Sequence, residues 1–206
     1  MKIHRLTTSP DPRLAAALSR FEKLFTYPLG VDDSFSISHG ADYTCFFRSL
    51  GEACVYVAEV AGEIAGVMTV VQRMVVVDGK QVIKAAYLCD TKVAPAMRGS
   101  WVLARLAFAV RADLDALGIE AAYSVVMLGS TTPASYTGRA GIPAFACLSR
   151  LQIVRFSTMQ QVQASDFFRQ KIEDPCVVVH SGSPSLKSRM APQQIAVDGA
   201  SAVLLD

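Results

Sequence analysis

The N-terminal part of the chain predicts one short strand followed by two helices. Residues 2–6 form a brief apolar segment typical of a strand. Asp11 and Pro12 then open a helix as N-cap and first helical residue, and apolar side chains follow at helical spacing. Residues 31–44 are rich in Asp, Ser and Gly and predict a loop, whose end overlaps a second, short helix predicted over residues 43–50.

From residue 53 onward the apolar pattern changes from helical to extended. Three apolar segments, at 54–60, 64–77 and 80–93, predict successive strands. Turn residues separate them, with Ala61-Gly62-Glu63 in the first gap and Asp78-Gly79 in the second. Three antiparallel strands in a row need at least one face covered by other elements.

The chain then predicts a helix and further strands. Apolar residues share one helical stripe from 103 to 117, and Gly118 occupies the place of a C-terminal glycine cap. Residues 119–128 are an apolar run short enough for a buried strand, 132–143 predict a short helix and turn, and 144–156 predict another strand. This order of elements is an α+β layout in which the strand–helix–strand unit is parallel and right-handed.

Beyond residue 156 the pattern weakens. Residues 165–172 predict a short helix, 175–180 a final strand, and 181–206 a linker followed by the start of a hairpin. We therefore expect one domain over 1–157 and a C-terminal extension over 158–206 that includes this strand and the beginning of a further module.

Composition excludes several classes of protein. With 51% apolar and 18% charged residues, the 206-residue chain is too apolar to be mainly disordered. No run of about 18 apolar residues predicts a membrane span, and the N-terminus lacks the apolar core of a secretory signal, so we expect a cytoplasmic protein. A net charge of +2 without a long basic run gives no electrostatic footprint for nucleic acid.

The cysteines and histidines show no metal-ligand spacing. The chain has three histidines and no CxxC pair, so we expect no metal site. The cysteines are odd in number, widely spaced and mostly flanked by apolar residues, which predicts reduced thiols in the core. They are Cys45, Cys54, Cys89, Cys147 and Cys176.

The most informative stretch joins the third strand of the meander to the long helix. The strand ends at Val93, Pro95 stops it, and Arg98-Gly99 begins a helix, which turns the free N–H groups of the first helical turn toward the strand ends. These donors, the helix dipole and the Arg98 charge predict a phosphate or pyrophosphate site. An ordinary crossover connection is the alternative interpretation.

The pattern VxPxxRG over residues 93–99, followed by an apolar helix, a strand and a short helix, resembles the core of the GNAT acyltransferase superfamily. The resemblance covers residues 1–157 in element order, and its motif spans 93–142. It implies a three-layer α/β/α sandwich with a mixed, mostly antiparallel central sheet. It also implies an N-acyltransferase that uses acetyl-CoA or another acyl-CoA as co-substrate, without a metal.

By this resemblance, the end of the strand would face pantetheine and the turn after it would hold the pyrophosphate. The family pattern is Arg or Gln, then any two residues, Gly, any one residue, and Gly or Ala. Its three defined positions fall here on Arg98, Trp101 and Leu103, and only Arg98 agrees with the pattern. The tryptophan must therefore point away from the ligand or close the site. The implied cofactor residues are Thr91, Lys92 and Val93 for pantetheine, and Arg98, Gly99, Ser100, Trp101, Val102 and Leu103 for the phosphates.

Attack of an amine on a thioester needs a proton acceptor and a proton donor. The resemblance proposes Asp90 as the base, acting directly or through water, and ordering of the strand end is its alternative role. Tyr136 is the candidate acid, although the family spacing falls on Thr137, and Tyr123 on the preceding strand is the second candidate. His39 is interpreted as a solvated loop side chain, with a place in an acceptor pocket as the alternative.

The acceptor is expected to be an amine of a small molecule or of a protein, and the enzyme a possible homodimer. Two other functions remain open. One is a CoA-binding or regulatory module without turnover, because the glycines of the phosphate turn are missing. The other is transfer of a longer acyl chain into an apolar cleft.

Overall fold

The computed structural model describes residues 1–29, 33–77, 81–126 and 145–146, together with the backbone of 178–180 and 203–205. Its helices and strands follow one another in an α+β order. They are β1 (Lys2–Leu6), α1 (Pro12–Glu22), β2 (Tyr27–Leu29), β3 (Asp33–Phe35), α2 (Cys45–Leu50), β4 (Glu52–Val60), β5 (Glu63–Val77), β6 (Gln81–Val93), α3 (Val102–Ala116), β7 (Ala121–Tyr123), β8 (Val178–His180) and β9 (Val203–Leu205).

A five-stranded mixed sheet in the order β1-β4-β5-β6-β7 organises the fold. β1 and β4 pair antiparallel, as do β4 and β5, whereas β7 pairs with β6 in parallel after the α3 crossover. The predicted parallel strand–helix–strand unit is therefore present. The expected three-layer arrangement with a mixed sheet is confirmed.

Alternation along β4 and β5 sends apolar side chains to both faces of the sheet. On one face, Tyr56 and Met68 join a buried cluster with Leu106 and Val110 of α3. On the other face, the completely buried side chains of Val55, Val57, Val67 and Val71 lie on the side of α1 and α2. Burial on both faces explains why these strands lack a simple apolar–polar alternation.

Gly66 allows the start of α3 to lie directly on the sheet beside the end of β6. A Cβ atom on Gly66 would lie 2.8 Å from Cγ1 of Val102 and 2.9 Å from the carbonyl oxygen of Lys92. Such distances are too short for any side chain, so glycine fixes this close approach. The helix N-terminus and the strand end consequently meet at one edge of the sheet.

A short hairpin lies where the sequence predicts an irregular segment. β2 and β3 pair antiparallel, and the rings of Tyr27 and Phe35 face each other at 5.4 Å across the pair. The prediction of a loop from residue 31 onward is therefore wrong for 33–35. Three-residue strands with polar members are too short for periodicity to reveal, and cross-strand aromatic contact stabilises them.

The chain divides into two compact units, one of residues 1–73 and 85–145 and the other of residues 74–84 and 146–206. In the second unit β8 pairs in parallel with β9 over three residues. The strand predicted over 175–180 is thus confirmed for its described part, residues 178–180. Val203–Leu205 pairs in parallel with this strand, whereas the two strands of a hairpin are antiparallel. The expected boundary at 157 lies outside the described residues.

Two further observations concern individual predictions. None of the helices in the described ranges is long and apolar enough to cross a membrane. Of the cysteines, Cys54 and Cys89 are partly buried, but Cys45 is exposed, so its predicted core position is wrong. Cys147 and Cys176 lie outside the described residues.

Candidate active site

Asp90 interrupts the regular course of β6. Its φ of 49° lies in the left-handed region, which asparagine and aspartate adopt more readily than most other residues. The local turn directs the carboxylate toward the sheet face that carries α1 and α2, where its side chain is only 9% exposed. Unfavourable backbone conformations of this kind persist where the surroundings hold them, and they cluster at functional sites.

Two donors hold the Asp90 carboxylate. The hydroxyl of Tyr43, just before α2, donates to Oδ2 at 2.5 Å, and Nζ of Lys92 lies 2.5 Å from Oδ1. Burial acts to lower the pKa of Lys92, but the charge of Asp90 and contact with Tyr27 outweigh it, so the pKa is raised. Burial and the Asp90 charge raise the pKa of Tyr43 well above its usual value. At neutral pH Lys92 is therefore an ammonium and Tyr43 a neutral phenol.

Tyr123 lies on the same side of the sheet, at the last residue where β7 pairs with β6. Its ring stacks on that of Tyr87 with centroids 5.1 Å apart and 20° between planes. The Tyr123 hydroxyl is buried and has no hydrogen-bond partner among the described residues. Burial raises the pKa of Tyr123 and raises that of Tyr87 to about 12, so both keep their protons at neutral pH. Tyr136, the first candidate acid, lies outside the described residues.

Among the described residues, the edge of β6 that faces β7 has no pairing partner beyond the three positions where the two strands pair. The parallel register covers Ala85–Tyr87, and no described residue pairs with that edge of β6 from 88 to 93. Backbone N–H and C=O groups on an open edge are ready to pair with an extended ligand. Of the three predicted pantetheine residues, Thr91 is exposed and Val93 is partly buried, while Lys92 uses its side chain in the ion pair.

A tight turn connects the end of β6 to α3. Residues 95–97 form one turn of 3-10 helix, and Gly99 then adopts a φ of 80°, which favours glycine. Oγ of Ser100 donates to the carbonyl of Met97 at 2.6 Å and fixes the turn. The Arg98 side chain is exposed beside it.

The N-terminus of α3 presents free amides at this turn. The first helical hydrogen bond runs from the amide of Arg105 to the carbonyl of Trp101 at 2.9 Å, so the amides of residues 101–104 are the donors that a helix start leaves over. Only that of Val102 approaches a side chain, at 3.4 Å from Oγ of Ser100. The indole of Trp101 is 72% exposed and therefore does not fill the turn. Leu103 is partly buried.

His39 is buried, and its interpretation as a solvated loop side chain is wrong. Its side chain is 7% exposed and contacts the carboxylate of Glu22, which is 4% exposed, through Nδ1. The sequence carries a signal for Glu22, because this acid lies four residues after Leu18 and eight after Leu14, on the buried stripe of α1. Nothing in the local pattern indicates that the loop brings His39 back to it.

A separate cavity of about 350 Å³ lies on the opposite, α3-bearing face of the sheet. Nε of Arg5 and the hydroxyl of Tyr56 each donate to Oδ2 of Asp113 at 2.7 Å along its wall. None of the predicted site residues lines this cavity. In the described part of the chain, no three side chains of metal-ligand type come together.

The sequence profile of the acetyltransferase (GNAT) domain matches residues 19–139, which is more than half of the chain. No curated protein sequence matches the chain significantly. Several solved structures do resemble it. The aminoglycoside N-acetyltransferase AAC(6')-Iy, in complex with the bisubstrate analogue CoA-S-monomethyl-acetylneamine, superimposes with a TM-score of 0.52 at 18% identity, covering 77% of this chain and 100% of its own.

Two other structures show the same range of likeness. A putative acetyltransferase from Agrobacterium tumefaciens has a TM-score of 0.53 at 9% identity and covers 75% of this chain and 100% of its own. Glucosamine-6-phosphate N-acetyltransferase from Arabidopsis thaliana has a TM-score of 0.49 at 13% identity, with coverages of 77% and 100%. At such identities, the two likenesses with a TM-score above 0.5 speak for the fold alone.

Proposed function

Because the chain belongs to the GNAT acetyltransferase family, we propose that it transfers an acetyl group from acetyl-CoA to an amine by direct attack on the thioester. The observation that carries this proposal is the edge of β6 from 88 to 93, which has no partner in the described part of the chain and leads directly into the turn and helix start at 98–103. An extended thiol arm and a diphosphate have complementary sites in this order along one stretch of chain.

In this proposal the backbone of Thr91, Lys92 and Val93 pairs with the pantetheine arm. The diphosphate lies on the amides that precede Arg105, with the Arg98 guanidinium alongside as a fixed positive charge. The turn that holds it also includes Gly99, Ser100, Val102 and Leu103. Trp101 lies beside the ligand with its indole outward, which is why a tryptophan is compatible with the turn.

The reacting amine enters from the sheet face that holds Asp90. The Asp90 carboxylate, held by Lys92 and Tyr43, stabilises the positive charge that the nitrogen acquires during attack. Asp90 also remains the candidate base predicted from the sequence, acting directly or through water. Tyr123 supplies a proton to the CoA thiolate as the carbon–sulfur bond breaks, because its hydroxyl is protonated and has no described partner. Tyr136 remains an alternative acid.

The acceptor is proposed to be a small-molecule amine, and a protein amine is the other candidate. The aminoglycoside and glucosamine-6-phosphate enzymes act on small molecules of this type, and this motivates including both in the test. The cytoplasmic location, the homodimer and the use of a longer acyl chain stay predictions from the sequence.

Transfer is tested by mixing the protein with acetyl-CoA and a panel of amines: an aminoglycoside, glucosamine 6-phosphate, spermidine and a short peptide. Mass spectrometry detects the acetylated amine, and a thiol reagent measures free CoA. We expect equal amounts of both products with at least one amine, and a parallel run with octanoyl-CoA decides the acyl length.

CoA binding without product for the entire panel would instead support the non-catalytic module. The departures at Trp101 and Leu103 from the family pattern favour that second candidate. Absence of CoA binding would contradict both candidates.

A further inference from the structure

A buried imidazole–carboxylate pair lies beside the Asp90 site. Glu22, at the end of α1, accepts the backbone N–H of His39 at 3.1 Å through Oε1, and the same oxygen contacts Nδ1 of the ring. The two side chains are 7% and 4% exposed. Removing two ionisable groups from water costs free energy, so such pairs occur where hydrogen bonds or a function compensate.

The imidazole is held in one orientation. Its ring lies 4.5 Å from the ring of Tyr43 and 4.9 Å from that of Phe47, each at 34°. Its second nitrogen, Nε2, makes no hydrogen bond among the described residues. A carboxylate on Nδ1 with Nε2 left open is the arrangement that fixes the tautomer whose Nε2 lone pair accepts a proton.

Tyr43 connects this pair to the acyl-transfer site. The aromatic ring of Tyr43 lies against the His39 ring, and the Tyr43 hydroxyl donates to Asp90 at 2.5 Å. Both oxygens of Asp90 already accept hydrogen bonds, one of them from the Lys92 cation. The amine therefore meets a carboxylate committed to an ion pair, and the His39 ring packs against the tyrosine that contacts this carboxylate.

We propose that His39, in place of the Asp90 predicted from the sequence, is the proton acceptor for the attacking amine and that Glu22 is its positioning residue, an assignment that rests on the proposed acyl transfer. The ammonium gives a proton to Nε2, the freed nitrogen lone pair forms the bond to the thioester carbon, and the carbon–sulfur bond electrons leave on the thiolate. The thiolate takes the Tyr123 proton. Solvent then removes the imidazolium proton and the second proton of the acylated nitrogen, which leaves the neutral amide, and reprotonates the phenolate.

The pH dependence of this step is set by the groups around the His39–Tyr43 contact. They come from the end of α1, from β2, from the segment before α2 and from β6. They are Glu22, Tyr27, Tyr43, Asp90 and Lys92.

The test compares His39→Asn with the wild-type enzyme on whichever amine of the panel reacts. The Asn amide nitrogen takes the place of Nδ1 and keeps the Glu22 contact, but it has no lone pair for a proton. We expect kcat to fall about 100- to 10,000-fold and the acidic limb of the pH profile to disappear, with the KM for acetyl-CoA unchanged. Glu22→Gln should lower kcat and shift the acidic limb without changing that KM.

His4→Gln is the matched control, since His4 is also paired with a glutamate, Glu59, but lies in β1 and makes its 2.5 Å contact through Nε2, whose place the Gln amide nitrogen takes. Its rate and pH profile should equal those of the wild type. A His39→Asn enzyme with wild-type kcat and an unchanged acidic limb would overturn the proposal and leave the pair as a loop anchor.

A second measurement decides the matter if His39→Asn does not fold or if the wild type transfers no acetyl group. Nitrogen NMR of the wild-type protein should show His39 with a proton on Nδ1 and a lone pair on Nε2. The opposite tautomer would overturn the assignment, whereas failure of transfer with the expected tautomer would overturn only the proposed reaction.

Discussion

At the scale of single residues, Asp90 and Lys92 form an ion pair that is more than nine-tenths buried at both side chains. Replacing Asp90 with Asn keeps a residue that tolerates the φ of 49° but leaves the Lys92 charge without its counterion. We expect the free energy of unfolding to fall by about 3 to 5 kcal/mol, measured by urea denaturation.

The control for this prediction removes both charges. Replacing Lys92 with Met in the Asp90→Asn background should restore most of the lost stability, because no buried charge is then unpaired. Equal destabilisation in the single and double variants would show that the Asp90 carboxylate does not stabilise the fold by neutralising the Lys92 charge. Acetyl transfer should be impaired in both the single and the double variant, since both lack the Asp90 charge.

Tyr123→Phe separates catalysis from stability. The Tyr123 hydroxyl has no hydrogen-bond partner among the described residues, so its removal should leave the free energy of unfolding unchanged or slightly increased. If the hydroxyl protonates the leaving thiolate, kcat should fall about 100-fold or more while acetyl-CoA affinity is retained. Tyr87→Phe, which removes the hydroxyl of the stacked neighbour, is the control and should leave kcat near the wild-type value. An unchanged kcat in Tyr123→Phe would remove this residue as the acid.

At the scale of elements, Glu59 links α1 to the β1–β4 pair. Its carboxylate accepts Nη1 of Arg13 at 2.8 Å and lies 2.5 Å from Nε2 of His4. Two hydrogen bonds lower the pKa of Glu59 from 4.5 to about 2: the one from Arg13 has the larger effect and the one from His4 the smaller. These contacts therefore stabilise the fold above pH 4.5, and their contribution is lost as the pH falls toward 2.

Glu59→Gln should accordingly flatten the dependence of stability on pH between 4.5 and 2, as measured by thermal melts across that range. Glu63→Gln is the matched control. Its carboxylate is 74% exposed and its nearest cation is 3.7 Å away, so its substitution should leave the acid dependence as in the wild type. An equally steep acid dependence in Glu59→Gln would contradict the assigned role.

Long periodic elements were predictable because many residues repeat the same signal. The three meander strands predicted at 54–60, 64–77 and 80–93 are observed within two residues of those bounds. The N-cap of α1 is also confirmed, since Oδ1 of Asp11 accepts the amide of Leu14 at 2.8 Å. The β2–β3 hairpin was not predictable, because three-residue strands carry no periodicity of their own.

At the scale of the whole molecule, the motif at 93–99 led to the correct family and fold, whereas the phosphate turn that it implies stays a prediction. The contacts around the site were not predictable, because they join residues far apart in sequence. Tyr43 meets Asp90 across 47 positions, and His39 meets Glu22 across 17. The kink at Asp90 is equally invisible in an apolar strand pattern, since tertiary contacts and not local propensity hold it.

The proposed location of the CoA site rests on the whole arrangement, in which one glycine at 66 lets the helix start lie beside the strand end. Titration of CoA into the protein, followed by tryptophan emission, tests this location most directly, because Trp101 is the sole tryptophan of the chain. Its exposed indole should change in emission as the ligand saturates the turn. Arg98→Ala should weaken binding because the phosphates lose a fixed charge. Saturable CoA binding that leaves Trp101 emission unchanged and is equally tight in Arg98→Ala would contradict the site.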